Sequence, residues 1–134
     1  MTTSNGSQRA NPGPGYRERP DHRVTVEDHP GRHRVLFNGE VVADSERTLL
    51  ITETGHGRVH YFPRADVRMD LMRQSRRHTR CPFKGEASYW HLEAGGEMAA
   101  DAVWAYPDPY DEVAAIRDFV AFDMAKMDEL RFGN

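Results

Sequence analysis

The stretch Arg34-Val35-Leu36-Phe37-Asn38-Gly39-Glu40-Val41-Val42-Ala43 decides the fold class. An Asn-Gly pair between two apolar runs supplies the positive φ angles of a type I′ turn, and such a turn closes a β-hairpin. The same strand-like rhythm continues outward on both sides. Upstream, Val24 and Val26 alternate with polar neighbours until Pro30-Gly31 breaks the run. Downstream, Thr48 to Thr52 is β-branched and apolar, Gly55-His56-Gly57 turns the chain, and Arg58 to Phe62 returns it before Pro63 ends the pairing. Val67, Met69 and Leu71 alternate with Arg68, Asp70 and Met72, which favours a strand over a helix there. Glu86 to Ala94 and Glu97 to Tyr106 flank Gly95-Gly96 as a second, longer hairpin, closed by Pro107 and Pro109.

Three segments read differently. Arg73 to Gly85 is polar and broken by Pro82 and Gly85, so it is expected to be a long connector, and long connectors are often functional. Asp111 precedes Val113, Ala114 and Ile116, which suits a short helix capped by the Asp carboxylate. Phe119 to Phe122 has the composition of a last strand, and Ala125 to Leu130 of a helical turn. The sum is an all-β, mainly antiparallel fold of seven or eight strands with one or two short helices, a sandwich or an open barrel.

Composition bounds the rest. The chain has 134 residues, the length of one domain. Residues 1–22 hold Pro12, Pro14, Pro20 and three glycines, with Tyr16 as the one aromatic, and are expected to form a disordered tail. Residues 23–134 are then a single domain. No run approaches the ~18 apolar residues of a membrane span, so a soluble protein with no membrane partner is expected. The single cysteine, Cys81, excludes an internal disulfide and favours a reducing, cytoplasmic setting. A net charge of −3 argues against nucleic acid as a partner, despite Arg73, Arg76, Arg77 and Arg80 lying close together.

Aromatic and reactive residues collect at strand ends: Tyr61-Phe62-Pro63, Cys81-Pro82-Phe83-Lys84-Gly85, Tyr89-Trp90 and Trp104-Ala105-Tyr106-Pro107-Asp108-Pro109. The order of these clusters, with Asp66-Val67, the Thr79 to Gly85 loop, Ala87 before Tyr89, and Val120 to Phe122, resembles the family catalogued as domain of unknown function 427. The resemblance runs from about Val24 to Phe122. It implies a β-tent fold, two packed antiparallel sheets that meet like the slopes of a tent. It brings no settled activity, although the family also carries a nucleotidyltransferase-like label. Other tent folds include zinc-bearing domains, methionine sulfoxide reductases of the B type and an aromatic-cage ligand binder, and fold kinship of that kind is analogy.

The candidate site residues follow from these clusters. Trp104 and Tyr106 share a strand face, while Tyr89 and Trp90 point to opposite faces. Large aromatics commonly build cores, yet the walls of a concave site are core-like too, so Tyr61, Tyr89, Trp104 and Tyr106 are expected to line a small-molecule cleft between the two sheets. Cys81 has Arg77, Arg80 and Lys84 nearby in sequence, and cationic neighbours favour a thiolate. Lys84 before Gly85 projects an ammonium from a turn. Both belong at the rim, and the alternative function is an enzyme that works through one of them. A protein-interaction module using the arginine segment is a third class. Nucleotidyl transfer needs clustered carboxylates to hold Mg²⁺, and Asp66 with Asp70, or Asp108 with Asp111, provide only spaced pairs. His56 with His60, and His78 with Cys81, have residue types that zinc accepts, but four residues along a strand span about 13 Å. No metal and no cofactor are therefore expected.

Overall fold

The computed structural model describes residues 10–133. Ten strands follow in chain order: β1 (Val24–His29), β2 (His33–Phe37), β3 (Glu40–Ser45), β4 (Thr48–Glu53), β5 (Gly57–Pro63), β6 (Met72–Cys81), β7 (Gly85–Ala94), β8 (Glu97–Ala105), β9 (Phe119–Phe122) and β10 (Glu129–Phe132). Every pairing is antiparallel. One sheet has seven strands in the order β1-β4-β5-β9-β8-β7-β6, and the other has three in the order β10-β2-β3. Among the described residues no helix is long and apolar enough to cross a membrane.

The Asn38-Gly39 hairpin forms as expected, with φ of 48° at Asn38 and 80° at Gly39. Alternation, interrupted by a bulge between β7 and β8, then divides the large sheet into two faces. Phe62, Trp90, Leu92, Val103, Val120 and Phe122 bury one face against the small sheet's Val35, Phe37, Val42 and Ala43. Tyr61, Ala87, Tyr106 and Ala121 turn to the other face, where they meet Leu49, Ile51, Val113 and Ile116.

The short β9 gives the large sheet its tent shape. It bonds only Phe62 and Pro63 of β5 on one side and Val103 and Trp104 of β8 on the other. Beyond those rungs no strand pairing joins the earlier residues of β5 and β8 among the described residues. The wings β1-β4-β5 and β8-β7-β6 therefore form a fork.

Several segments depart from the sequence reading. Arg73 to Gly85 is no connector: β6 runs to Cys81, and a turn at Pro82, Phe83 and Lys84 leads into β7. Its polar composition follows from its place at the sheet edge, where most of its side chains face water and no apolar alternation is required. Val67 to Leu71 is not a strand: a lone bridge from Val67 to Ala43 lies between two 3-10 turns, Arg64–Asp66 before it and Met69–Leu71 after it. The alternating apolar residues still pack on the main core, so the pattern reported burial and not backbone form. The Asp111–Ile116 segment is 3-10, and the Asp111 carboxylate accepts from the Asn11 backbone N–H (2.7 Å) instead of capping it. After the Met124–Lys126 turn the chain forms β10, a strand with no period-2 apolar pattern because only one of its four residues is even half-buried.

The supposed tail is partly packed. Residues 1–9 lie outside the described residues, but from residue 10 the chain straps across the β6–β7 turn. Gly15 N–H bonds the Pro82 carbonyl at 2.9 Å, within a short helix α1 (Gly15–Glu18). Gly13 N–H bonds Glu112, and the Tyr16 hydroxyl donates to the Phe83 carbonyl at 3.0 Å. The Tyr16 ring meets Phe83 edge-on at 5.0 Å. Glycine is required at position 15, where a Cβ would lie 2.6 Å from the Phe83 ring. Proline and glycine here allow close approach to an aromatic, a use that composition alone does not distinguish from disorder.

Candidate functional site

A cleft of about 470 Å³ lies in the fork of the large sheet. Alternation supplies its walls. Val59 and Tyr61 come from β5, Tyr89 from β7, and Trp104 and Tyr106 from the end of β8 and just beyond it. The Trp104 indole N–H donates to the Tyr61 hydroxyl at 3.2 Å and so ties the two wings across the fork. Tyr89 exchanges a hydrogen bond with Thr79 at 2.9 Å, while the Arg77 guanidinium lies 4.9 Å over its ring. Burial pushes the phenols of Tyr61 and Tyr106 well above their ordinary value, so both remain neutral hydroxyls.

Below the aromatics is an ion pair. Glu53 ends β4 on the same face as Leu49 and Ile51, and its carboxylate accepts from the Lys84 ammonium. It also lies 2.9 Å from His22 Nε2, a residue of the N-terminal strap. The His22 ring stacks on Phe83 at 3.9 Å, which fixes the strap to the turn that carries Lys84. The Glu53 and Lys84 side chains are about nine-tenths buried. Burial raises the Glu53 carboxyl, but the hydrogen bonds from Lys84 and His22 outweigh it and hold the group below the usual carboxylate value.

Of the residues expected at a site, Tyr61, Lys84, Tyr89, Trp104 and Tyr106 line this one cleft. Cys81 does not. It is half-buried at the end of β6 and packs against the core beneath the cleft. The cleft's place also differs from expectation, because no residue of the small sheet lines it. A second cavity of about 360 Å³ at the seam of the two sheets is lined by Phe62, Phe122, Met124 and Leu130, and shares Val59, Trp104 and Asp123 with the first.

Sequence reasoning missed Glu53, His22, Arg77 and Asp101. Glu53 was accessible in principle, since it continues the two-residue period of Leu49 and Ile51. His22 carries no local signal. Asp101 sits at a bulge with φ of 52°, where its N–H bonds His91 Nδ1 at 3.0 Å and its carboxylate accepts from Ser75. The carboxylates considered for metal-assisted transfer are engaged elsewhere: Asp66 by Ser45 and Arg47, and Asp70 by Arg68.

These features define an all-β protein of two antiparallel sheets with an aromatic cleft in the fork of the larger. The family described as Domain of unknown function (DUF427) matches residues 25–133, and the chain belongs to it. The strap residues 10–22 lie ahead of that match. No curated protein matches the chain.

Proposed function

We propose that the protein binds a small, flat, polar-edged molecule in the fork cleft. The observation that carries this reading is the convergence of four aromatic residues on a cavity whose floor is the buried Lys84–Glu53 pair. Its volume is that of a small-molecule site, commonly about 300–1,000 Å³. A buried ion pair is weak evidence for stability, because apolar residues of similar volume often serve as well or better. Its place beneath an open cleft supports a positioning role instead. The charge of Lys84 is matched by Glu53, so the floor offers a donor–acceptor pair and not an unpaired cation. Arg77, at the lip, is a cation available to an acidic substituent, and Lys126 lines the same cleft. The strained backbone at Asp101 is of a kind that clusters at functional sites.

Binding accounts for the geometry better than cysteine chemistry does, because Cys81 is outside the cleft lining. An NMR screen of aromatic carboxylates and nucleosides tests the reading through the Trp104 indole N–H, which already reports the bond to Tyr61. Hits should shift that resonance together with Tyr89 and Val59. Hits that move only residues outside the fork would sink the proposal.

A further inference from the structure

On the opposite face of β5 from the cleft, three histidines converge. His29 ends β1, His33 begins β2, and His60 lies mid-strand in β5, opposite Leu50 of β4. The Pro30-Gly31 turn, with Gly31 at a φ of 102°, folds β2 back so that His33 reaches His29. Ring centroids are 4.9 Å apart for His29–His33 and 5.0 Å for each of the other two pairs. One ring nitrogen from each residue lies within 4.8 Å of the others.

We propose that His29, His33 and His60 form a three-histidine site for a divalent transition-metal ion, zinc foremost, with an open coordination position for water. Several independent features support it. His60 Nε2 is buried and has no hydrogen-bond partner among the described residues. An unsatisfied buried polar atom is costly, and a metal ion would supply the missing partner. His33 Nδ1 lies 3.1 Å from the Gly31 carbonyl, so the neutral ring donates there and keeps its lone pair on Nε2. Metal-binding histidines are usually oriented by a second-nitrogen contact of this kind. Imidazole suits zinc, copper and nickel, and three histidines leave a fourth tetrahedral position free. Zinc–nitrogen bonds of about 2.0–2.1 Å require ligand atoms roughly 3.4 Å apart, so the triad must draw in by about 1.4 Å at most. His29, half-exposed, has room to make that movement.

Histidine pairs read along the sequence do not reveal this site, because its members come from three strands. His60 is the one member that the spacing argument considered, and the fold gives it partners other than His56.

The test uses untagged full-length protein, stripped with a chelator and titrated with Zn²⁺ by calorimetry. One ion should bind per chain and raise the melting temperature. His60→Gln and His29→Gln should each weaken binding at least about 10-fold, as loss of a direct ligand does when even second-shell changes cost that much. Their metal-free melting temperatures show whether the fold survives. His78→Gln, at an exposed position, should bind as the wild type does. Independently of any variant, Co²⁺ bound to the wild type should give the strong visible bands of a four-coordinate site. Absence of saturable binding, binding unchanged in both triad variants, or a six-coordinate Co²⁺ spectrum would overturn the proposal.

Discussion

The two faces of the seven-stranded sheet are built from the same strands, yet one is closed and the other open. Along β5, Phe62 is sealed against the small sheet, whereas Tyr61, one residue earlier, borders the fork cleft. Along β8, Val103 is fully buried in the closed face, and Trp104 turns its ring into the cleft. The difference arises from β9. Four residues suffice to join the wings at one end, and their shortness leaves the rest of the fork without strand pairing, crossed by the Trp104–Tyr61 hydrogen bond. The closed face is covered by the small sheet, while the open face carries a smaller apolar cluster with Val113 and Ile116 and, beside it, the Glu53–Lys84 pair and the cleft.

The largest expected effect separates the faces by stability. Phe62→Ala should cost about 3–5 kcal/mol in denaturant unfolding, the usual range for emptying a core aromatic site. Trp104→Ala should cost roughly half of that or less, because its ring is only partly enclosed. Equal losses would mean that the fork is a core region and not a cleft.

A smaller effect tests the hairpin that holds the closed face together. Gly39→Val should lower stability by roughly 1–2 kcal/mol, since a β-branched side chain resists φ near 80°. No atom lies within 4 Å of the added Cβ, so the loss would report backbone strain alone. An unchanged melting temperature would contradict the turn's role.

The third effect is the smallest and concerns the cleft floor. Glu53 has a folded-state value below its ordinary 4.5. Its stabilising contribution is therefore complete above that value and is lost as pH falls through the lower folded one. Wild type should lose stability below about pH 4.5 more steeply than Glu53→Gln, measured by urea unfolding at several pH values. Parallel acid profiles would show that Lys84 and His22 contribute nothing through Glu53.

The hairpins around Asn38-Gly39 and Gly95-Gly96 were legible because their turn residues and alternation agree. Four aromatic members of the cleft were legible for the same reason, since period-2 alternation assigns Trp104 and Tyr106 to one face. The edge strand β6 was not, because an edge exposed to water carries no apolar rhythm. The strap was hidden by composition: Gly13, Pro14 and Gly15 look like linker residues, and the Tyr16–Phe83 contact that orders them spans 67 positions. Glu53 could have been placed by its local period, but its partner His22 and the histidine triad depend on contacts between distant segments, which local patterns do not encode.

The central claim is that the fork cleft holds a small molecule. Native mass spectrometry of freshly purified, untagged protein tests it most directly. The wild type and Cys81→Ser should both retain a non-covalent organic adduct at one per chain, and Trp104→Ala should lose it while remaining folded. No adduct on the wild type, or one that Trp104→Ala retains as well as the wild type does, would contradict the account.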